Sequence, residues 1–295
     1  TVTVSFSHST ESSSTAYGLV LTELGDENMA WADNITLISG PAFTVDTDDW
    51  PEATFSWDEV DTYYNQAYPV SFSFDFAVGT GVNPNQVLPD TVDLEWTSVP
   101  GDPGQVSPYN PDSYERTGDD SDPGGALNDY NDEDSAQFRI DDNAFNKILL
   151  GDGDAVIGET FQYQITIDLI EGVTENVIMA DSLDPGLAFV SQNSFTYDTG
   201  ITVTGSTMPL VLNQGTNLWW FLGNIVNPPG SAPDTITVTY TACLTNVYTN
   251  WDGRLLDNFA NISYISGGPL WSTASDTQVL EPEMAVTKSL SAQTG

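Results

Sequence analysis

Basic residues are nearly absent. The 295-residue chain holds five Lys and Arg together against 43 Asp and Glu, a formal net charge of −38. A surface of that sign repels nucleic acid and anionic membranes, so neither is an expected partner. Divalent cations, basic partners or a high-salt milieu fit it better. Cysteine is limited to Cys243, so no internal disulfide can form, and an extracellular setting calls for another kind of staple. Histidine is limited to His8, which ends a strand-like run and reads as structural; no Cys/His set suits zinc. No apolar run approaches the ~20 residues of a membrane-spanning helix, and no segment carries the spacing of a three-turn helix. The sequence starts at Thr1, which reads as a processed product or an excerpt, with any leader or anchor elsewhere.

Period-two patterning is what the chain has in abundance. TVTVSFSHS sets Val2, Val4 and Phe6 on one face, and YPVSFSFDFAV does the same for Val70, Phe72, Phe74, Phe76 and Val78. TFQYQITID repeats it with Phe161, Tyr163, Ile165 and Ile167, and DTITVTYTACL with Ile236, Val238, Tyr240 and Ala242. Alternation marks strands with one face in a core and one in water. Pro and Gly clusters (LPDT, VPGDPG, SLDPGL, VNPPGS, SGGP) separate the strands. Many short strands with turn signals between them predict an all-β fold of sandwiches. The length predicts two domains.

The chain also repeats itself. Val2-Val4-Phe6 aligns with Phe161-Tyr163-Ile165, and GLVLTELGDE with NVIMADSLDP, which sets Glu23 opposite Asp181. LPDTVDLEW aligns with LDNFANISY and sets Asp90 opposite Asn258. The predicted organisation is two tandem Ig-like β-sandwiches over 1–141 and 142–280, followed by a segment 281–295. The second sandwich opens with AFNKILL; the first has no counterpart and starts directly at TVTVSF. The tail supplies the missing pattern, because AVTKSLS aligns with AFNKILL and sets Lys288 opposite Lys147. The first sandwich is therefore expected to lack its opening strand and to receive it from the C-terminal segment of a neighbouring copy. Either one long polypeptide carries many such periods, or separate subunits lend a strand head to tail, which is β-strand complementation. The second arrangement builds an open filament unless the rotation closes a ring.

GETFQYQITI, NVIMADSLDPGLAFVS, DTITVTYTA and LLDNFANISY, in that order, resemble the tandem Ig-like repeat of bacterial and archaeal surface proteins. That family is catalogued as domain of unknown function eleven and is related to isopeptide-forming fimbrial domains. The resemblance implies an extracellular, cell-surface spacer in stalks or fibres, a structural protein rather than an enzyme. It further implies an isopeptide bond from Lys147 to Asn258 with Asp181 as the assisting acid. Across copies, it implies one from Lys288 to Asp90 with Glu23 as the acid. The first half departs from the pattern at two places: Asp90 stands for the acceptor Asn and Glu23 for the acid Asp. The plainer reading is a lysine paired with a carboxylate at the sandwich edge, its head reaching toward water.

Between residues 112 and 142 lie eleven carboxylates and two arginines, Arg116 and Arg139. Nine of the carboxylates and Arg116 belong to a connection over 98–134, far longer than the ~12–15 residues usual for a structureless loop. Asp119, Asp120, Asp122, Asn128, Asp129 and Asp132 offer clustered oxygens suited to Ca²⁺; the alternative is a solvated acidic face. Trp219 and Trp220 are adjacent and should point to opposite faces. An exposed tryptophan keeps open a second reading, a carbohydrate- or surface-binding adhesin module. If Ca²⁺ orders the acidic connection, a chelator is expected to lower the melting temperature by several degrees and to speed protease cleavage between residues 112 and 134. An unchanged melt and digest would remove calcium from the account.

Overall fold

The chain is described from a computed structural model covering residues 1–8, 14–62, 68–98, 100, 130–230 and 234–290. It divides into two compact units, Thr1–Val82 with Gln86–Ile140, and Asn83–Asn85 with Asp141–Gly295. The first unit holds β1 (Val2–His8), β2 (Ser14–Leu24), β3 (Met29–Trp31), β4 (Thr36–Ser39) and β5 (Thr44–Asp46). It continues with β6 (Glu52–Thr62), β7 (Tyr68–Phe74), β8 (Phe76–Val78), β9 (Val87–Thr97) and β10 (Asn131–Arg139). The second holds β11 (Ala144–Leu150), β12 (Asp154–Val156), β13 (Thr160–Asp168), β14 (Gly172–Leu183), β15 (Leu187–Tyr197), β16 (Thr202–Val203) and β17 (Leu210–Leu212). After a 3-10 turn at Asn213–Gly215 follow β18 (Asn217–Asn227), β19 (Thr235–Leu244), β20 (Leu255–Leu256), β21 (Asn258–Tyr264), β22 (Gly267–Thr273) and β23 (Thr277–Leu280). The fold is all-β, two sandwiches in tandem.

Each sandwich follows from its alternation. In the second, one sheet runs β11-β13-β19-β15 and faces another ordered β16-β18-β14-β21-β22. Along β19 the inward set Ile236, Val238, Tyr240, Ala242 and Leu244 is fully buried, with threonines between them. Trp220 is buried opposite and donates its indole N–H to Gln192 Oε1 at 2.9 Å; its neighbour Trp219 is 37% exposed. Cys243 is half-buried.

In the first sandwich, β1-β7-β4 faces β10-β9-β2-β6-β5. Its core is aromatic: Phe55 packs on Phe72 with ring centroids 4.5 Å apart, and Phe43 and Trp31 close over them. Burying each such ring contributes ~1.5–3 kcal/mol. The YPVSFSFDFAV run departs from a single inward face. It breaks at Asp75, whose backbone N–H donates to Asp33 O and whose carbonyl accepts from Ala32 N–H. β8 then pairs with β3, and Val78 is exposed rather than in the core. Local pairing with β3 overrides alternation there.

A bulge recurs at one place in both halves. The register of β2 on β9 slips between Tyr17 and Val20, and that of β14 on β18 between Thr174 and Val177. Each slip holds a positive-φ residue, Gly18 at +55° and Asn176 at +53°. That conformation suits Gly and, next best, Asn. Five residues on in each strand stands a buried carboxyl, Glu23 or Asp181. Across it the inward positions switch parity, from Ala16 to Leu19 and from Thr174 to Val177, which turns both carboxyls inward.

Two features bear on function. In the second sandwich β11 covers the outer edge of β13. In the first, β1 pairs with β7 alone among the described residues, so its outer edge offers free N–H and C=O groups. Residues 281–290, expected as a strand, form none: the segment is exposed, with Met284, Val286 and Leu290 each above nine-tenths. A lone extended segment has no ladder to join.

Candidate functional site

In the second sandwich β11 carries Lys147 at the middle of its length, paired with Ile165 on β13. Its backbone N–H donates to Ser272 Oγ at 2.9 Å, which ties β11 to β22 in the facing sheet. Its side chain turns into the core and is fully enclosed. There Nζ donates to both oxygens of Asp181 at 2.6 Å and contacts Asn258 Oδ1. The Tyr240 hydroxyl donates to Asp181 Oδ2 at 2.8 Å and accepts from Asn258 Nδ2 at 2.9 Å. Nζ lies 5.1 Å from the Tyr163 ring centroid, within reach of a cation–π attraction. The lysine is therefore not snorkelling at the edge.

Burial disfavours charge on both partners. It pushes Lys147 down to about 8 against the pull of Asp181. It raises Asp181, with Lys147 and the Tyr240 hydroxyl opposing. Both shifts run toward the neutral amine and the neutral acid. An uncharged amine touching a carboxamide, beside an acid able to donate to its oxygen, is the arrangement that aminolysis of an amide needs.

The first sandwich reproduces the frame with the amine missing. Asp181 pairs with Ala260, and Asn258 stands two residues before Ala260; Glu23 pairs with Val92, and Asp90 stands two residues before Val92. Glu23 is 1% exposed and Asp90 6%. Among the described residues, Glu23 Oε1 and Oε2 and Asp90 Oδ1 are buried with no hydrogen-bond partner. Protonating Glu23 supplies the donor. Burial first, then that hydrogen bond to Asp90 and the Asp90 charge, push Glu23 up to about 9. In the alignment of the halves, Val4 and Phe72 replace Tyr163 and Tyr240; each pair is directly cross-strand. At these two positions no phenol is present to relieve the carboxyls.

Above Glu23 and Asp90 lies a groove of about 610 Å³. One wall is the inward face and free edge of β1, the other β9 and β10, and the floor is Leu19, Leu21 and Leu94. Those are the counterparts of the strands that β11 touches in the second sandwich. Asp134 occupies the register position of Ser272, since Asp134 pairs with Val92 and Ser272 with Ala260.

Lys288, the remaining sequence candidate, is exposed in the tail and meets none of these groups. Of the metal candidates, Asp119, Asp120, Asp122, Asn128 and Asp129 lie outside the described residues. Asp132 is exposed on β10 beside the groove. Among the described residues no group of three or more His, Cys, Asp or Glu is placed to hold a metal ion. Sequence reasoning missed the two tyrosines and Ser272; the one signal was the Tyr163–Tyr240 match at inward positions where the first half is wholly apolar.

No protein-family model matches this sequence, and no curated protein does. Among solved structures, the full-length major pilin SpaD of Corynebacterium diphtheriae is similar at 15% identity over 88% of this chain and 58% of that one, with a TM-score of 0.32. The major pilin subunit of Bacillus cereus gives 12% over 82% and 64%, with 0.32. The N-terminal domain of the Streptococcus gordonii adhesin Sgo0707 gives 10% over 90% and 57%, with 0.33. The chain thus spans a little over half the length of the SpaD pilin.

The unrelieved carboxyls set a pH dependence for the first sandwich with its groove empty. The folded form keeps the Glu23 proton up to about pH 9, whereas the unfolded chain releases it near 4.5. Stability therefore falls as pH rises through that window. Glu23→Gln is expected to flatten the slope and raise the first unfolding transition by roughly 1–3 kcal/mol at its alkaline end, read by thermal melts across pH. Parallel pH profiles for variant and wild type would refute this origin.

Proposed function

We propose that this chain is a structural subunit of an extracellular filament, its copies joined head to tail by strand insertion. In this reading residues 285–290 of one copy lie along β1 of the next and close its sandwich. One observation carries it: among the described residues, a groove lies beside an unpaired strand edge, with two buried carboxyls at its base that meet no cationic partner. The alignment of AVTKSLS with AFNKILL names the occupant, because it brings a lysine to the depth that Lys147 reaches. The register of β11 on β13, carried over, sets Lys288 opposite Phe6 and directs its ammonium at Glu23 and Asp90. Inserted, the strand completes the ladder of β1 and covers the groove's apolar floor.

The purified chain is expected to form filaments in a concentration-dependent way, visible by electron microscopy. Deleting residues 283–295 should leave monomers, and an excess of the peptide 283–295 should stop growth. Polymerisation without the tail, or a persistent monomer with it, would overturn strand insertion.

The second sandwich supplies the staple that a chain with one cysteine lacks. In the same proposal, Lys147 Nζ attacks Asn258 Cγ, Asp181 protonates and steadies the carbonyl oxygen, and ammonia leaves. The intact mass should then be short by one ammonia, and Lys147→Arg should restore the full mass. A wild-type chain of unmodified mass would exclude the bond.

A further inference from the structure

The second sandwich has an outward face unlike the rest of this acidic chain. Along β21, Asn258, Ala260, Ile262 and Tyr264 turn into the core, and Phe259, Asn261 and Ser263 face outward. Asn261 pairs with Ala180 on β14 and, on its other side, with Trp271 on β22. Ala180 in turn pairs with Trp219 on β18. One row across four strands thus reads Trp219, Ala180, Asn261, Trp271, with a carboxamide between two exposed tryptophans. Phe259 packs on Trp271 with ring centroids 6.1 Å apart, and Trp219 lies near-parallel to Phe221, 17° between their planes. The chain has 43 acidic residues, yet neither this row nor the rows beside it, Phe221-Ile178-Ser263 and Asn217-Ser182-Phe259-Thr273, holds a charge. An exposed aromatic face of this extent calls for a cover.

The sequence itself names one. Asn261-Ile262-Ser263 has the spacing of an acceptor for an N-linked glycan, and its asparagine stands in the middle of the face. We propose that Asn261 carries an N-linked oligosaccharide whose first sugars lie on Trp271 and Phe259 and extend toward Trp219. This inference does not depend on strand insertion. Strands about 4.8 Å apart place Trp271 one strand, and Trp219 about 10 Å, from the point of attachment. Pyranose rings present C–H faces that settle on the π faces of aromatic rings. Their hydroxyls meet the amides and hydroxyls set between those rings, Asn217, Ser182 and Ser263 among them. A second copy of the chain fits less well, because it would bury the Asn261 carboxamide against rings and bring its own charge of −38. A neutral glycan bonded through that carboxamide does neither.

The sugar donor is an oligosaccharide esterified to a polyprenyl phosphate. Asn261 Nδ2 attacks the anomeric carbon, and a C–N bond forms. The anomeric C–O bond breaks, the polyprenyl phosphate leaves with the electron pair, and the nitrogen gives one proton to it. Both edges of β21 are paired in the folded sheet, so the cell's transferase acts before the sheet closes. Because Asn261 faces outward, the glycosylated strand still takes its place.

The test uses the full chain isolated from the cells that make it, oxidised by hydroxyl radicals while folded and then mapped by peptide mass spectrometry. The peptide holding Asn261 should carry the mass of attached sugars. Made in the same cells, Ser263→Ala should lose that mass and Ser263→Thr should keep it. In the sugar-bearing chain Trp219 and Trp271 should oxidise several-fold more slowly than in Ser263→Ala. Trp251, 60% exposed like Trp271, should oxidise equally in both. Asn261→Gln, which keeps a carboxamide on the face, should behave as Ser263→Ala does. A bare Asn261 in the wild-type chain overturns the linkage, including where sugar is found on Asn34 of the other such triplet or where free oligosaccharide binds the face. Sugars that persist on Asn261 in Ser263→Ala also overturn it. Equal oxidation of Trp219 and Trp271 with and without the sugar overturns its placement on the rings.

Discussion

A carboxyl group sealed between two sheets must find a counter-charge, a donor or a proton. This requirement organises both sandwiches. In the second, the solution is internal: β11 closes the edge of β13 and carries Lys147 to Asp181, while the Tyr240 hydroxyl donates to Asp181 and itself accepts from Asn258. In the first, the carboxyl is held in the same register, but no strand covers the edge among the described residues, and the group keeps its proton instead. Desolvation works in opposite directions on acid and amine. It drives Glu23 toward the neutral acid and Lys147 toward the neutral amine.

The backbone enforces this equivalence even where side chains differ. The bulges at Gly18 and Asn176 sit five residues before Glu23 and Asp181, and both residue types tolerate positive φ. Without that switch of parity the alternation would carry each carboxyl to solvent. Replacing Tyr163 and Tyr240 by Val4 and Phe72 then sets the difference in chemistry. The second site is hydrogen-bonded and complete, whereas the first is dry and deficient by one cation.

Much of this could be read from the residues. Alternation located the long strands, and the spacing of inward carboxyls matched the halves, because register and burial both act through period two. Three things were hidden. Alternation continues through Asp75, so the break there depends on backbone pairing with Ala32 and Asp33 that no pattern records. Tyrosine counts as apolar in an alternating run, so the hydroxyl network around Asp181 was invisible until the strands faced each other. The tail reads as a strand, yet strand formation needs a neighbour, which a single chain does not give it. The acidic run that drew attention to calcium falls mostly outside the described residues and contributes nothing to the geometry above.

An open edge over an apolar floor invites indiscriminate pairing, and the charge pattern constrains what can enter. β10 borders the groove with Asp132, Glu133 and Asp134, and the chain as a whole carries −38. Segments of the same chain are mostly acidic, so repulsion disfavours their insertion at this edge. With five basic residues in all, few segments bring a positive charge, and one of those charges sits in the exposed tail at Lys288. Scarcity of lysine would thus turn into selectivity in the proposed insertion: the two buried carboxyls would discriminate among strands by asking for a residue this sequence uses only twice. The same repulsion opposes bringing whole copies together, and it is screened beyond about 8–10 Å at physiological ionic strength. In the proposed insertion, what would remain at contact range is local, a lysine entering a dry acidic seat while its backbone completes a ladder. Long-range repulsion and short-range fit therefore act on different length scales, and the second can decide the register once salt has weakened the first.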